Sequence, residues 1–429
     1  MHAASESLNT YEPVAEEGAK LKPQDLAALL LSRHDVIQDR RGFAYEYTDT
    51  HWAEVSRHEL LSYALEVDVH EHASQRRRNE TVAHALALRQ TKDVEWNQLS
   101  QHEVPVVDGV VNVLDGKQRP HDREDWLDRV IPHKLIHGQE CQLWFRCFDD
   151  WLSEDMEKAD KISALQEFFG YVLLPHARYK RALMLYGAPD CGKSVVVAVM
   201  RHLVGHANCT SISVESMDDP RKLAPLKGKA LNLLGELPEK ALIADGGFKA
   251  LVSTGDPVQI DQKNKEAETI IPTAKHVIAC NTLPRINDRT SATYNRLLVV
   301  HCPNALPKDM RDRHLEEKLQ REMSGILRWA LLGARRLVQA GGVFTEIAES
   351  GRILADLREE NNPVGQFLGE CTEADTAGRI LVTELRKRYV EWSGERGMSP
   401  VYFGRLLSSA GYRSESSRGV RFIAGRVWR

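Results

Sequence analysis

Much of what this sequence lacks narrows what it can be. No apolar run in its 429 residues approaches the roughly 18 that a helical membrane span requires, so no membrane partner is expected. The opening MHAASESLNTYEPVAEEGAK has neither a basic lead nor an apolar core. It reads as a flexible acidic tail over 1–22, not a secretory signal, and the expected location is the cytoplasm. The seven cysteines are scattered, with no CxxC pair and no histidine at a zinc-finger interval. That spacing indicates neither a disulfide framework nor a structural zinc site. Cys141 and Cys147, either side of Trp144, read as buried thiols. Internal repeats and long low-complexity linkers are also absent; "REENNPVG" near Asn362 is the clearest boundary.

What is present is ordinary globular composition: 42% hydrophobic, 28% charged and 7% aromatic, on a chain long enough for about three domains. The net charge of −4 conceals an asymmetry, because the residues from Arg379 onward hold eleven Lys and Arg against four acidic residues. A basic terminal module suggests a polyanionic partner.

Four regions follow from the patterning. The tail is succeeded by a small mixed α/β domain over 23–153, with strand-like pieces such as "RGFAYEYTDTHWAEV". Over 154–348, "KISALQEFFGYVLLP" predicts a packing helix. Short apolar runs then alternate with helices: "ALMLY", "SVVVAVMRHLVG", "TSISVES", "ALNLLGEL", "KHVIACN" and "RLLVVHC". Runs of this kind suit a parallel sheet buried on both faces, so the centre is an α/β domain. One long amphipathic helix, "HLEEKLQREMSGILRWALLGARRLVQAGG", closes it at a Gly-Gly stop. Residues 349–429 give two short helices, the second capped by Ser399 with Pro400 at its first position, and then a strand pair. That order is the one a winged helix has.

The chemistry concentrates at Gly187-Ala188-Pro189-Asp190-Cys191-Gly192-Lys193-Ser194, which fits GxxxxGK(S/T) between an apolar strand and an apolar helix. Glycines let successive backbone N–H groups converge on β- and γ-phosphates, and the helix start adds its positive end. Lys193 supplies a point charge, the Ser194 hydroxyl completes a Mg²⁺ shell, and Cys191 contributes only its backbone. Glu236, at the end of "ALNLLGEL", is placed to polarise a water and to help hold Mg²⁺ through its water shell, with Glu239 as second choice. Asn281 ends the next apolar strand, where an amide can contact the γ-phosphate or the water. The strand-like "VQID" and "ETIIP" flank a turn that carries Lys263 and Lys265. Arg76, Arg77 and Arg78, near His70 and His72, complete no ligand set and read as a solvated helix face.

With these pieces in order, the sequence resembles the superfamily 3 helicases of the poxvirus and phage/plasmid primase-helicase type. The likeness also takes in "VPVVDGVVNVLDGKQRPHDREDWL", similar to the family's helicase-associated domain, and "FKALVSTGDPVQID". It implies an AAA+ type P-loop core that binds ATP and Mg²⁺ and assembles as a homo-oligomeric ring, usually a hexamer. The implied activity is ATP-dependent DNA unwinding for a phage, plasmid or other mobile element. By that resemblance Lys193 and Ser194 are the Walker A pair, Glu236 the Walker B acid and Asn281 the sensor. Arg296 is the arginine finger offered to a neighbouring protomer, with Arg289 as competitor. Lys263 and Lys265 grip single-stranded DNA in the channel, and forked DNA is the expected substrate. The sequence departs from the family in Gly235, where an Asp is usual, and in lacking a linked primase, so any primase is expected as a separate chain. Two alternatives stay open: an ATP-switched initiator or loader that does not unwind, and an RNA-directed or defence-related ATPase.

Overall fold

The computed structural model describes residues 21–68, 74–91, 94–237, 242–253, 255–261, 267–287, 291–395, 397–417 and 419–429. The chain divides into two compact units, 1–135 and 136–429. The first holds α1 (Pro23–Arg33), β1 (Val36–Gln38), β2 (Ala44–Tyr47), β3 (Trp52–Val55), α2 (Arg57–Val67), α3 (Gln75–Leu88), β4 (Glu103–Val106), β5 (Gly109–Asn112) and β6 (Gln118–Arg119). Its strands form two antiparallel meanders, β1-β2-β3 and β4-β5-β6. The helices bury Leu26, Leu30, Leu60, Ala64, Val82 and Ala85 against one another. Helix α2 starts where Ser56 and Glu59 exchange side-chain and backbone hydrogen bonds, so two otherwise orphaned N–H groups are satisfied at once. The arginine run on α3 is solvated at Arg76, which is exposed and pairs with Glu80, whereas Arg77 turns in to the buried Asp68 at 2.6 Å.

The second unit begins with α4 (Gln142–Trp151) and α5 (Lys158–Leu173). There follow β7 (Ala182–Tyr186), α6 (Lys193–Val204), β8 (Cys209–Thr210), β9 (Leu231–Glu236), β10 (Leu242–Ala244), α7 (Asp245–Leu251), β11 (Val258–Ile260) and β12 (Glu268–Ile270). Then come β13 (Lys275–Cys280), β14 (Arg285–Asn287), β15 (Leu297–His301), α8 (Leu315–Gln320), α9 (Met323–Gln339) and α10 (Ala348–Glu360). Five strands make one parallel sheet in the order β15-β7-β13-β9-β8. All of β13 and all but the last residue of β7 are buried, as strands at the centre of a parallel sheet must be, and β13 buries Lys275 and His276 along with its four apolar residues. Helix α6 packs on β9 and β13, and α10 on β15.

Residues 136–153 pack with the second unit, where Trp144 of α4 meets Trp329 of α9 edge-on. Two expectations change here. Of the "TSISVES" strand only Thr210 stays in a strand, in β8 with Cys209, and Val214–Ser216 turn into a short 3-10 segment. The single long helix before Gly341 is two, broken between Gln320 and Met323. The break has a use: the Glu322 carboxylate accepts the N–H groups of Leu143 and Trp144, the open first turn of α4, for which Cys141 offers no side-chain cap. An acid there also suits the positive end of the helix. Packing explains the rest of α9, since a Cβ on Gly170 of α5 would overlap the backbone of Ala330 and Ala334.

The last segment runs α11 (Pro363–Cys371), β16 (Thr372–Leu381), α12 (Val382–Ser393), α13 (Pro400–Ser409), β17 (Ser414–Ser417) and β18 (Val420–Trp428). The strands pair antiparallel as β16-β18-β17 over a core that includes Phe367, Leu385, Tyr389, Phe403 and Ile423. Helix α13 starts as its sequence predicts, with the Ser399 side chain accepting from the Tyr402 N–H. Part of the basic charge here is spent internally: Arg388 lies 3.9 Å from the centre of the Trp428 ring, and Arg426 donates to Thr372 and to the Leu368 carbonyl.

Candidate functional site

The sheet order brings three strand ends side by side. Tyr186, the last residue of β7, is in register with Cys280, the last of β13, and Ala279 of β13 is in register with Glu236 of β9. Gly187, Asn281 and Glu236 therefore leave the same carboxyl edge of the sheet on neighbouring strands, roughly 4.8 Å apart per step. An edge of this kind is where ligands bind in open parallel sheets.

The turn from Gly187 to Ser194 is held from several sides. Gly187 donates its N–H to the Cys280 carbonyl at 3.3 Å, and Leu306 donates to the Asp190 carbonyl at 3.0 Å. A Cβ on Gly187 would collide with the Cys302 carbonyl. At Gly192, φ is +92° and a Cβ would collide with the Trp151 indole of α4. Asp190 also takes a positive φ of 64° and pairs with Arg311 at 2.8 Å. Helix α6 then starts at Lys193 and presents its N-terminus to the turn.

Lys193 is only 5% exposed, and its Nζ donates to the carbonyls of Gly187 at 2.8 Å and Ala188 at 2.7 Å. The turn thus wraps a buried ammonium, while Ser194 and Asn281 stand exposed beside it. A cavity of about 390 Å³ joins these groups: Pro189, Asp190, Gly192, Lys193, Ser194 and Asn281 line one part. Helix α4 contributes Leu143, Arg146, Cys147, Asp150 and Trp151, and the chain after β15 contributes Leu306, Met310, Arg311, Asp312 and Leu315. A cation, a helix start and a hydroxyl within one cavity form a donor set for a polyphosphate, and the Ser194 oxygen is a suitable hard ligand for Mg²⁺. The apolar part can take a flat base.

Of the residues predicted from sequence, the fold gathers Pro189, Asp190, Gly192, Lys193, Ser194 and Asn281 around this cavity. The Cys191 side chain points away from it and is 1% exposed. The backbone of Glu236 closes the strand next to β13, and its side chain is outside the described set. Lys263 and Lys265 lie outside the described residues, as do Glu239, Arg289, His70 and His72; the legs on either side of Lys263 and Lys265 do pair antiparallel as β11 and β12.

Arg296 is elsewhere. It precedes β15, whose first residue pairs with Ala182 at the start of β7, whereas the turn follows the end of β7. Five residues of strand separate the two ends, roughly 16 Å. Its Nε donates to the Val252 carbonyl at 2.7 Å and its guanidinium also to the Ala292 carbonyl.

Sequence reasoning missed the α4 wall and the segment around Arg311. The amphipathic run of α4 was visible, but nothing local says that its Trp151 lies beneath Gly192. Cys141 and Cys147 are buried as read, and burial pushes both thiols up to about 12.

Comparison with known proteins comes in pieces. Residues 21–157 match a family described as D5 N terminal like. Residues 185–296 match a family of unknown function (DUF5906). The chain is similar to one component of the ATP-dependent helicase/deoxyribonuclease of Desulforudis audaxviator (strain MP104C), with 32% identity over 132 residues, which is 28% of this chain and 11% of that protein. It therefore spans only a small part of that relative. Among solved structures, an apo form of the NrS-1 C-terminal region shares the fold at a TM-score of 0.55 and 14% identity, over 95% of this chain and 100% of that one. A second apo structure of that region gives 0.52 and 12%, again over 95% and 100%. Among the described residues no helix is long and apolar enough to cross a membrane.

Proposed function

We propose that this chain is an ATP-dependent DNA helicase serving replication of a phage, plasmid or other mobile element, built on an AAA+ type P-loop core and working as a ring. The observation that carries the reading is the shared sheet edge. There the Gly187–Ser194 turn, Asn281 and the end of β9 leave neighbouring strands, and the turn and Asn281 line a cavity that contains the buried Lys193 ammonium.

In this reading the turn's N–H groups and Lys193 hold the β- and γ-phosphates of ATP. Ser194 and, through water, Glu236 hold Mg²⁺, which neutralises phosphate charge when bound. Asn281 orients the attacking water or the γ-phosphate. Arg296 supports a composite site: some 16 Å from its own turn, it can reach a phosphate only if a neighbouring protomer presents one. Such a finger stabilises charge in the transition state, so an isolated protomer hydrolyses ATP slowly. The ring is read as a hexamer. Lys263 and Lys265, which fall between β11 and β12 in the sequence, are read as gripping the phosphates of single-stranded DNA. The α11–β18 segment, with helix, strand, two helices and two strands, is read as a winged helix for duplex DNA.

Further support comes from the D5 N terminal like match over 21–157 and from the name of the similar Desulforudis audaxviator protein. The test is strand displacement on forked DNA with ATP and Mg²⁺, run beside a size measurement. The chain should assemble and unwind, Lys193→Ala should remove ATP hydrolysis and unwinding together, and Lys263→Ala with Lys265→Ala should keep nucleotide binding but stop translocation. ATP-dependent assembly on DNA with no strand displacement by the wild-type chain would make it a loader, not a helicase.

A further inference from the structure

Behind the turn lies a second chemical feature that nucleotide binding leaves unused. Cys191, in the turn itself, and Cys302, directly after β15, are 1% and 4% exposed. The Gly187 backbone sits between them: a Cβ there would meet the Cys302 carbonyl and lie 3.0 Å from Cys191 Sγ. Both residues lie against the Gly187 backbone, and Lys193 Nζ lies 3.4 Å from Cys191 Sγ. The neighbouring Cys302 thiol first, and the Lys193 cation after it, hold the Cys191 thiol well below the ordinary range despite its burial. The same pairing, with burial, raises Cys302. The neighbouring Cys280 is turned away, its Sγ facing the Leu185 carbonyl at 3.8 Å, and burial pushes it up to about 12. The arrangement is a nucleophilic sulfur, a resolving thiol and a cation in one buried cluster.

We propose that Cys191 and Cys302 are an oxidation site for a small hydroperoxide, and that the disulfide they form disables the nucleotide turn. The effect on the turn rests on the function proposed above; the thiol chemistry does not. In the first step the Cys191 thiolate attacks one oxygen of hydrogen peroxide. An S–O bond forms, the O–O bond breaks, and hydroxide leaves and takes the Cys302 proton to become water. The Cys191 sulfur is now a sulfenic acid, oxidised by two electrons as the peroxide is reduced. The Cys302 thiolate then attacks that sulfur, and the S–O bond breaks as hydroxide leaves and is protonated by solvent. In sum, two thiols and one peroxide give one disulfide and two waters.

A disulfide needs an S–S distance of about 2.05 Å, well short of any unbonded pair of sulfurs. The Cys302 backbone is held, its N–H bound to the Tyr186 carbonyl at 2.8 Å as an extension of the β7–β15 pairing, so Cys302 can contribute only a side-chain rotation. The shift therefore falls on the turn, and Lys193 loses its sulfur partner. Burial of both sulfurs selects an oxidant not much larger than water and excludes a bulky one such as glutathione disulfide.

The test treats the full reduced chain with hydrogen peroxide, blocks the remaining thiols, and maps the peptides by mass. In parallel it titrates a fluorescent ATP analogue before and after oxidation. The expected result is a linked Cys191–Cys302 peptide pair two hydrogens lighter than its parts, with affinity reduced about tenfold or more and restored by a thiol reductant. Cys302→Ser should bind the analogue normally when reduced, form no linked pair, and lose the reductant-reversible response. Conversion of Cys191 to sulfinic acid without a link would overturn the proposal, as would a link that leaves affinity unchanged. If the reduced wild-type chain binds no nucleotide, the proposed function fails, whereas the thiol pair still stands or falls on the linked peptide.

Discussion

Adding one methyl group at Gly192 tests how the turn is built. Gly192→Ala places a Cβ at a residue with φ +92°, which costs about 1–2 kcal/mol in backbone strain. The same Cβ also enters the Trp151 ring, which is 3% exposed and packed edge-on against Trp144 and Phe148, so it cannot swing away. Overpacking of that kind costs about 1–3 kcal/mol more. The total, roughly 2–5 kcal/mol, is a large part of a typical domain's stability but leaves a foldable chain. The two contributions separate in a double-mutant cycle with Trp151→Leu, which removes the ring and leaves the backbone conformation in place. Measured by urea unfolding with far-ultraviolet circular dichroism, Gly192→Ala should cost about 1–3 kcal/mol less in the Trp151→Leu background than in wild type. Affinity for a fluorescent ATP analogue should follow the same pattern. An equal penalty in both backgrounds would mean that Trp151 does not support the turn, and the account of the α4 wall would be wrong.

Two further tests probe the frame around the site. His276 of β13 is fully buried beside Asn232 of β9, and loss of hydration lowers its imidazole to about 4, opposed by a backbone hydrogen bond with Leu251. Its folded value lies below the unfolded one near 6.5, so its contribution is complete above about pH 6.5 and is lost as pH falls from there toward 4. That loss is about 3 kcal/mol; the urea midpoint should show it, and His276→Gln should lack that slope. Gly170→Ala, in the middle of α5, would ordinarily gain up to about 1 kcal/mol from helix propensity. Here its Cβ meets the α9 backbone at Ala330 and Ala334, so a net loss of about 1–3 kcal/mol is expected, and a rise in melting temperature would refute the close α5–α9 contact.

Some features were legible because they are local. Gly187 to Ser194 announces its turn by spacing alone, lying between a five-residue apolar strand and a helix. Ser399 with Pro400 fixed the start of α13, and the Gly-Gly pair at 341–342, both with positive φ, fixed the end of α9. Each of these depends on interactions within about one turn of chain, where residue type and order carry the physics directly.

Other features were out of reach for an equally physical reason. Nothing near Asn281 says that β13 lies between β7 and β9; the strand order does, and that order is settled by which apolar runs bury one another across the sheet. The same holds for Trp151 beneath Gly192, for Glu322 capping α4 across the fold, and for the two thiols that meet behind Gly187. Arg296 belongs here too: the sequence offers it to a neighbouring protomer, but only the register of β15 on β7 sets it at the far end of the sheet from its own turn. The sequence by itself determined the turn, the helices and the apolar runs, since backbone geometry and periodicity are written residue by residue. Tertiary structure alone decided which of those pieces share an edge, because adjacency comes from burial between segments far apart in the chain.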